Sequence, residues 1–399
     1  MNTTGTAWRP QTVRRANLST VLAAVRDRGQ ASRSELVSAT GLTRSAIGGL
    51  VAELDELGLV REHGAASDGS PGRPSQVVHV DGRRVGAVAV EIAVDGIGAA
   101  IVGLDGTVIH SRRLMRSRET VPVEQTVRDV IGLLRALGVE SPTIGGRRLV
   151  GLGVAIAGLV DDATNVVVRA PNLGWTDVGL GEALADQLGF ELPVFVANDG
   201  DVGALAEVRF GAGVGIGEML YVSGEVGVGG GLFVGGRRVA GRSGFAGEIG
   251  HMPINPDGRP CRCGSSGCWE TETGELALLA RGGRDSDAGI HALAEMIEAA
   301  ERGEPRAVAA FADEARWLGL GIAGLINIFD PELVVLGGFF GPILPLIGEQ
   351  LRREVEARVF LGAARTVPIV ASRLGADGGL IGAAELAFEP LVENPLMVR

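Results

Sequence analysis

The chain alternates short apolar runs, rich in β-branched residues, with segments of helical periodicity, and it does so in two rounds. Such runs predict strands when glycine bounds them, and apolar residues at 3.6-residue spacing predict helices. The first round predicts strands at 85–94, 99–104, 108–114, 149–156 and 194–197, with helices at 123–137 and 179–188. The second predicts a hairpin at 219–223 and 230–234, helices within 274–327, and strands at 333–336 and 368–372. Two such rounds predict an α/β body of two lobes around a cleft, the usual place for a small ligand.

The composition is that of an ordinary globular protein. Of the 399 residues, 46% are apolar and 21% are charged, and the 63 glycines follow no three-residue period. No apolar run reaches the roughly 18–20 residues of a membrane helix. The polar segment 1–11 lacks the apolar core of a signal peptide. We therefore expect a cytoplasmic protein with no membrane contact.

The charge is unevenly distributed. The net charge of −11 excludes a protein that coats nucleic acid with its whole surface. Residues 1–84 nevertheless carry more arginines than acids, whereas the remainder is strongly acidic. A mildly basic head on an acidic body permits DNA contact through a small patch.

Residues 12 to about 82 predict a winged helix-turn-helix. Apolar residues from Leu18 to Val25 form one helical face, and Ser32 with Glu35 forms a capping box for a second helix. Gly41 ends that helix and Thr43 caps a third. This order, with a tight turn before the longer last helix, is typical of a helix-turn-helix.

The DNA-binding candidates lie at the start of the last helix and on the wing. The exposed first residues of such a helix enter the major groove, which here indicates Thr43, Arg44 and Ser45. Runs at 59–62 and 77–80 predict the wing strands, and Arg73 on the tip between them could reach a minor groove. A small three-helix domain that contacts proteins is the alternative.

The three cysteines of the chain form a metal-binding pattern with one histidine. His251, Cys261, Cys263 and Cys268 fall within one short, glycine-rich stretch. Three thiolates and an imidazole are a tetrahedral zinc set of the Cys₃His type. Four protein ligands close the site, so we expect one structural zinc per chain. Three reduced core thiols beside an incidental histidine are the alternative.

The same region resembles the signature of the ROK family, named for repressors, open reading frames and sugar kinases. The segments that carry the resemblance are Gly247-Glu248-Ile249-Gly250-His251, Cys261-Arg262-Cys263-Gly264-Ser265-Ser266-Gly267-Cys268-Trp269-Glu270, Ala170-Pro171-Asn172-Leu173-Gly174-Trp175, Ala197-Asn198-Asp199 and the stretch 329–338. The resemblance covers nearly the whole chain. It implies an actin-like fold, with a winged helix-turn-helix in the regulator branch.

The resemblance also implies a sugar site. Carried over by motif, the residues that contact sugar hydroxyls would be Asn172, Asn198, Asp199, Glu248, His251 and Glu270. Amides and carboxylates suit a ligand with many hydroxyls, because they donate to and accept from them in pairs. His251 could bind zinc through one ring nitrogen and face the sugar with the other. Asp199 holds the position of the general base in the family's kinases.

Both phosphate loops of the family's kinases are altered here. The first usually reads Asp-x-Gly-x-Thr, whereas this chain has Glu91-Ile92-Ala93-Val94-Asp95. In the second, Glu225 replaces a threonine. Two added carboxylates oppose phosphate binding. We therefore expect no catalytic residues and a sugar sensor without kinase activity; a ROK-family, ATP-dependent, glucokinase-like sugar kinase and a ligand-independent scaffold are the alternatives.

The predicted organisation has three parts. Residues 1–82 form the DNA-binding domain, 83–200 the first lobe, to which 376–399 return, and 201–375 the second lobe with the zinc site. The expected partners are operator DNA, a sugar or sugar-derivative effector, and a second copy of the chain in a homodimer or higher oligomer. Dimer geometry would set the spacing of the half-sites. The sequence leaves the sugar, the operator and the sign of regulation open.

Overall fold

The computed structural model describes residues 10–64, 76–285, 289–360 and 366–399. The first part, here called the head, contains α1 Pro10–Arg28, β1 Gln30–Ser32, α2 Arg33–Thr40, α3 Arg44–Glu56, β2 Val60–Gly64 and β3 Gln76–Val80. Its strands form an antiparallel sheet in the order β1-β3-β2. The predicted helix order and the pairing of the two wing strands are confirmed. The sequence patterns did not indicate β1.

The head's helices begin and end where their capping residues predict. The hydroxyl of Ser32 accepts from the Glu35 amide at 3.2 Å, and the Glu35 carboxylate accepts from the Ser32 amide at 2.7 Å. Gly41 ends α2 with a φ of 71°, a left-handed conformation that glycine adopts without strain. Thr43 caps α3 by accepting from the Ala46 amide at 3.3 Å. These caps fix the angle between α2 and α3.

The first lobe is built on a mixed sheet in the order β12-β8-β4-β5-β6, with β7 paired to β8. Its elements in chain order are β4 Val85–Ile92, β5 Gly96–Gly103, β6 Val108–Met115, α4 Val123–Ala136, β7 Thr143–Ile144, β8 Arg147–Ile156, β9 Leu159–Asp161, β10 Val166–Ala170, β11 Trp175–Val178, α5 Leu180–Leu188 and β12 Val194–Asn198. A small antiparallel sheet, β11-β10-β9, lies beside the main one.

The parallel strands of the first lobe bring candidate residues to one edge. In the registers of β4, β8 and β12, Ile92 is opposite Ile156, and Ile156 is opposite Asn198. Glu91, one residue earlier on β4, lies at this same edge. Ligands of parallel sheets bind outside the carboxyl ends of the strands. A ligand of this lobe would therefore bind beyond this edge.

Helix α6 Asp199–Phe210 follows and leads into the second lobe. That lobe contains β13 Met219–Gly224, β14 Val228–Val234, β15 Arg237–Arg238, α7 Trp269–Thr273, α8 Glu275–Gly282, α9 Gly289–Glu301, α10 Pro305–Phe329, β16 Leu333–Gly338, α11 Phe340–Glu356 and β17 Ile369–Ala371. Its sheet has the order β15-β14-β13-β16-β17, in which β13 pairs parallel with β16. Gly224 and Gly338 lie side by side at its cleft end.

The last helix, α12 Gly378–Glu393, returns to the first lobe and packs on β4 and β8. It also contacts α6 and the head's α1. Apolar side chains of α1, including Leu18 and Leu22, share one buried cluster with Ala387 and Phe388 of α12. The head and the first lobe are thus joined through a common core. The part boundaries at residues 82 and 200 stay predictions.

Among the described residues, none of the helices has the length and apolar character needed to cross a membrane.

Candidate functional site

Three carboxylates and an imidazole meet where the two lobes face each other. Nε2 of His251 lies 3.9 Å from a Glu248 carboxylate oxygen, and its Nδ1 lies 3.5 Å from a Glu270 oxygen. The charge of Asp199 acts on Glu248 and, with burial, raises its pKa. The structure therefore brings together four of the six residues predicted to contact sugar.

The start of α6 positions Asp199. Asn198 caps this helix, because its Oδ1 accepts from the amides of Gly200 at 2.8 Å and Asp201 at 3.2 Å. Its Nδ2 donates to the Gly158 carbonyl at 3.0 Å. Asn198 thus fixes the helix start, and Asp199 is the first helical residue, half-buried in the cleft.

Glycines of β14 and the preceding turn let this cluster assemble. A Cβ on Gly200 would lie 2.5 Å from the backbone nitrogen of Gly230, so the helix and the strand touch backbone to backbone. A Cβ on Gly227 would collide with the carboxylate of Glu270. The glycine-rich stretch is therefore required for the close approach of α6, β14 and α7.

Two acids of the cleft, Glu248 and Asp199, hold their protons more firmly than ordinary carboxyls. Burial raises the pKa of Glu248 to about 7, and the charges of Asp199, Asp201 and Glu270 add to the effect. Burial also raises the pKa of Asp199. At neutral pH the cluster therefore offers both hydrogen-bond donors and acceptors, as a polyhydroxyl ligand requires.

The four predicted metal ligands converge on one point. The ligand atoms of His251, Cys261, Cys263 and Cys268 all lie within 4.8 Å of one another. The sulfurs of Cys263 and Cys268 are 3.6 Å apart, and Cys261 Sγ is 3.8 Å from His251 Nδ1. A tetrahedral ion with metal–sulfur bonds of about 2.3 Å separates its sulfurs by about 3.8 Å. The residues therefore fit a single tetrahedral metal ion.

His251 joins the metal cluster to the carboxylate cluster. Its Nδ1 faces Cys261, and its Nε2 faces Glu248, so one ring contacts both groups. The thiol of Cys261 donates to Glu270 at 2.8 Å, and burial together with this bond raises the pKa of the thiol. Metal binding would displace that proton, since thiolates are the ligands.

Two arginines that sequence reasoning missed attach the cysteine loop to the first lobe. Arg262, between the cysteines, donates to Asn172 Oδ1 at 3.3 Å. Arg169 on β10 donates to the Cys263 carbonyl at 3.0 Å. Asn172, on the turn between β10 and β11, thus lies against the cysteine loop. The position of Arg262 inside the cysteine motif was a signal for this role; Arg169 gave none.

The phosphate-loop positions carry ion pairs as well as added acids. Arg118 lies 3.6 Å from Asp95 and also pairs with Glu275 at the start of α8, so it bridges the two lobes. Arg113 pairs with Glu91 at 3.1 Å. Their partners could not be read from the sequence, because they are distant along the chain.

Glu225 lies on the turn between β13 and β14, where it accepts from the Ser223 hydroxyl at 3.2 Å. A Cβ on Gly338 would lie 2.6 Å from its carboxylate, so the acid covers the glycine pair at the cleft end of this sheet. Solvent reaches the side chain. The surrounding cleft nevertheless limits its hydration and, with the charges of Glu91, Asp199 and Asp95, raises its pKa to about 8.

The predicted DNA-reading residues lie together at the start of α3. Thr43, Arg44 and Ser45 are exposed, and the hydroxyls of Thr43 and Ser45 are 3.2 Å apart. Arg73 lies outside the described residues.

Fold and site together define a class: proteins with a winged helix-turn-helix ahead of a two-lobed body of the kind found in sugar kinases. A model of the ROK family matches residues 87–389, and the chain belongs to this family.

The chain is similar both to repressors and to kinases of this family. It is 30% identical over 397 residues to a putative xylose repressor of Caldicellulosiruptor sp. (strain Rt8B.4), covering 96% of this chain and 98% of the relative. It is 32% identical over 331 residues to a glucokinase of Streptomyces coelicolor, covering 78% of this chain and 99% of the relative. The glucokinase match leaves about a fifth of the chain unmatched, a share equal to the head's.

Among solved structures, too, the chain is similar to both a kinase and a transcriptional regulator. A ROK family glucokinase from Streptomyces griseus, in complex with glucose and AMPPNP, matches with a TM-score of 0.67 and 31% identity, covering 75% of this chain and 98% of that one. A ROK family transcriptional regulator, a homolog of the E. coli MLC protein, matches with a TM-score of 0.76 and 24% identity, covering 97% and 98%. The second match supports the fold of the whole chain, head included.

Proposed function

We propose that the protein is a sugar-responsive transcriptional regulator that binds operator DNA through its head and a sugar between its lobes. The observation that carries the proposal is similarity to xylose repressors over 96% of the chain. The full-length glucokinase relative of Streptomyces coelicolor covers only 78% of this chain. A role on DNA also implies the cytoplasm.

The proposed sugar site is the carboxylate cluster. Asp199, Glu248 and Glu270 would accept from sugar hydroxyls, and His251 would donate or accept through Nε2. Asn172 and Asn198 would complete it from the first lobe. Since these residues belong to both lobes, a bound sugar would favour one degree of closure.

We propose that the protein lacks kinase activity. Glu225 places its side chain against the glycine pair of the second lobe, and Asp95 adds a carboxylate at the first phosphate-loop position. Both side chains oppose a bound triphosphate, because each would repel phosphate when ionised and Glu225 also occupies space beside the glycines. Asp199, the base position of kinases, would then act only as a hydrogen-bond partner. A glucokinase-like enzyme is the second candidate, because Asp199 and the family relatives favour it.

We propose that His251, Cys261, Cys263 and Cys268 hold one structural zinc ion per chain. The donor set and its spacing support zinc, and four protein ligands leave no open position for catalysis. The ion would hold His251 and the cysteine loop in place beside the sugar. We expect elemental analysis to find close to one zinc per chain, and Cys263→Ala to lose the ion. A full complement of zinc in that variant would contradict this ligand set.

The proposed regulator would act as a homodimer or higher oligomer whose two heads read two half-sites. Thr43, Arg44 and Ser45 would contact base edges, and Arg73 would reach from the wing into the minor groove. The parts at 1–82, 83–200 with 376–399, and 201–375 would then be the units of DNA binding and of the two lobes.

A gel shift on the protein's own upstream DNA, repeated with D-xylose, D-glucose and N-acetylglucosamine, tests the proposal. We expect a specific complex whose affinity changes with one of the sugars. A coupled assay with the same sugars and Mg-ATP separates the two candidates. Turnover near ordinary kinase rates, without a specific DNA complex, would establish the enzyme and reject the regulator.

A further inference from the structure

Helix α6 extends from the carboxylate cluster to the head. Its first residue, Asp199, belongs to the candidate sugar site, and its twelve residues span about 18 Å. In its last turn, Arg209 pairs with Asp27 on α1. The Nε of Arg209 also lies 3.8 Å from a carboxylate oxygen of Glu385 on α12. One helix therefore contacts both candidate sites.

Packing prevents α6 from moving apart from the lobes. Gly200 touches Gly230 of β14 backbone to backbone, and a Cβ on Gly382 of α12 would collide with the Val202 carbonyl. Near its other end, Glu207 accepts from the Ser372 hydroxyl at 2.5 Å and from the Leu374 amide at 3.3 Å. A displacement at one end of such a tightly packed helix is transmitted to the other.

On the head's side, α1 receives this contact. Arg26 pairs with Glu385 at 2.6 Å, and both side chains are almost fully buried. The next residue, Asp27, is the partner of Arg209. Leu18 and Leu22 of α1 share a core with Leu54 of α3. A tilt of α1 would therefore also move α3, which carries the predicted DNA-binding residues.

We propose that α6 is the lever that couples the sugar site to the head, and that Arg209 is its coupling residue. The proposal rests on the proposed function. Sugar bound at Asp199 shifts the start of α6 together with the second lobe. Arg209 then changes the position of α1 through its ion pair with Asp27. Arg209 is a positioning residue, since it contacts neither sugar nor DNA.

The test is Arg209→Met in the full chain, which keeps the length of the side chain and removes its charge. The partly exposed pair with Asp27 contributes little to stability, so we expect the variant to fold. DNA affinity is measured on a site selected from genomic fragments, with and without D-xylose or D-glucose, and sugar affinity by calorimetry. In the wild type we expect the active sugar to change the DNA Kd at least about fivefold.

In Arg209→Met we expect that change to fall to within about twofold, with sugar affinity and sugar-free DNA affinity near wild type. Asp27→Asn should reproduce the loss, the double variant should lose nothing more, and Arg209→Lys should restore part of the response. Arg302→Met, which removes an exposed pair between the residue after α9 and Glu298 on that helix, is the matched control.

The possible outcomes distinguish a failure of the proposed coupling through α6 from a failure of the proposed function. A full sugar response in Arg209→Met, with both ligands bound normally, overturns the lever and leaves the regulator intact. A wild-type protein that binds no sugar, or no specific DNA, overturns the proposed function and the lever with it. A variant that loses sugar affinity or DNA affinity in parallel with its response also contradicts the lever, because Arg209 would then support a site directly.

Discussion

At the scale of the residue, Glu225 is where this cleft departs from the usual second phosphate loop of the family's kinases. A threonine at this position would offer a neutral donor, whereas Glu225 brings a carboxyl among Glu91, Asp95 and Asp199. Two of these neighbours have arginine partners, but Glu225 contacts the Ser223 hydroxyl. Its pKa of about 8 therefore shows that this position disfavours a negative charge.

This unfavourable placement makes stability depend on pH. Because folding raises the pKa of Glu225 above its ordinary value of 4.5, its ionisation opposes folding. The contribution of protonated Glu225 to the free energy of unfolding is fully present below about pH 4.5. It is lost as the pH rises towards about 8. Solvent screening reduces the cost to about 1 kcal/mol.

We therefore expect Glu225→Gln to raise the Tm by about 2 °C above pH 8 and to leave it unchanged near pH 4.5. Differential scanning calorimetry across this range measures the effect. Glu349→Gln on α11, whose side chain is 81% exposed, is the control and should show no shift. An equal gain for Glu225→Gln at both ends of the range would refute the electrostatic explanation.

At the scale of the element, the contact between α6 and β14 depends on glycine. Gly200→Ala would place a methyl group 2.5 Å from a backbone nitrogen that cannot move without disturbing the strand. We expect a loss of about 3 kcal/mol in the free energy of unfolding. Gly132→Ala on α4 is the matched control, because its Cβ would meet nothing within 4 Å.

In the control the added methyl should stabilise the helix by up to about 1 kcal/mol. Chemical denaturation of both variants measures the difference. Similar, small changes for the two substitutions would mean that the helix and the strand do not approach as closely as described.

Most elements could be predicted from the sequence, since local periodicity and capping residues determine them. Ser32 and Thr43 placed the starts of α2 and α3, and glycine-bounded apolar runs indicated strands of both main sheets. The small sheet of β9, β10 and β11 was missed, because its strands are short and depend on pairing with each other. The metal cluster could be predicted from its cysteines, whereas the partners of Arg118 and Arg209 depend on contacts between distant segments.

At the scale of the whole molecule, the head is anchored to the body by a buried ion pair. Arg26 and Glu385 have side chains that are 4% and 3% exposed, and their contact joins residues 359 positions apart. Arg26 also lies over the ring of Phe388, and its Nε has no hydrogen-bond partner among the described residues. The apolar cluster around the pair supplies the attraction, and the pair fixes the relative position of α1 and α12.

Removing one member of this pair should cost more than removing both. Glu385→Leu leaves the buried Arg26 without its carboxylate, and we expect a loss of about 3 kcal/mol in the free energy of unfolding. Adding Arg26→Met removes the stranded charge, so the double variant should lie within about 1 kcal/mol of the wild type. Chemical denaturation of the wild type, both single variants and the double variant completes the cycle. Additive losses would mean that the two side chains act independently, and that the shared apolar core alone holds the head against α12.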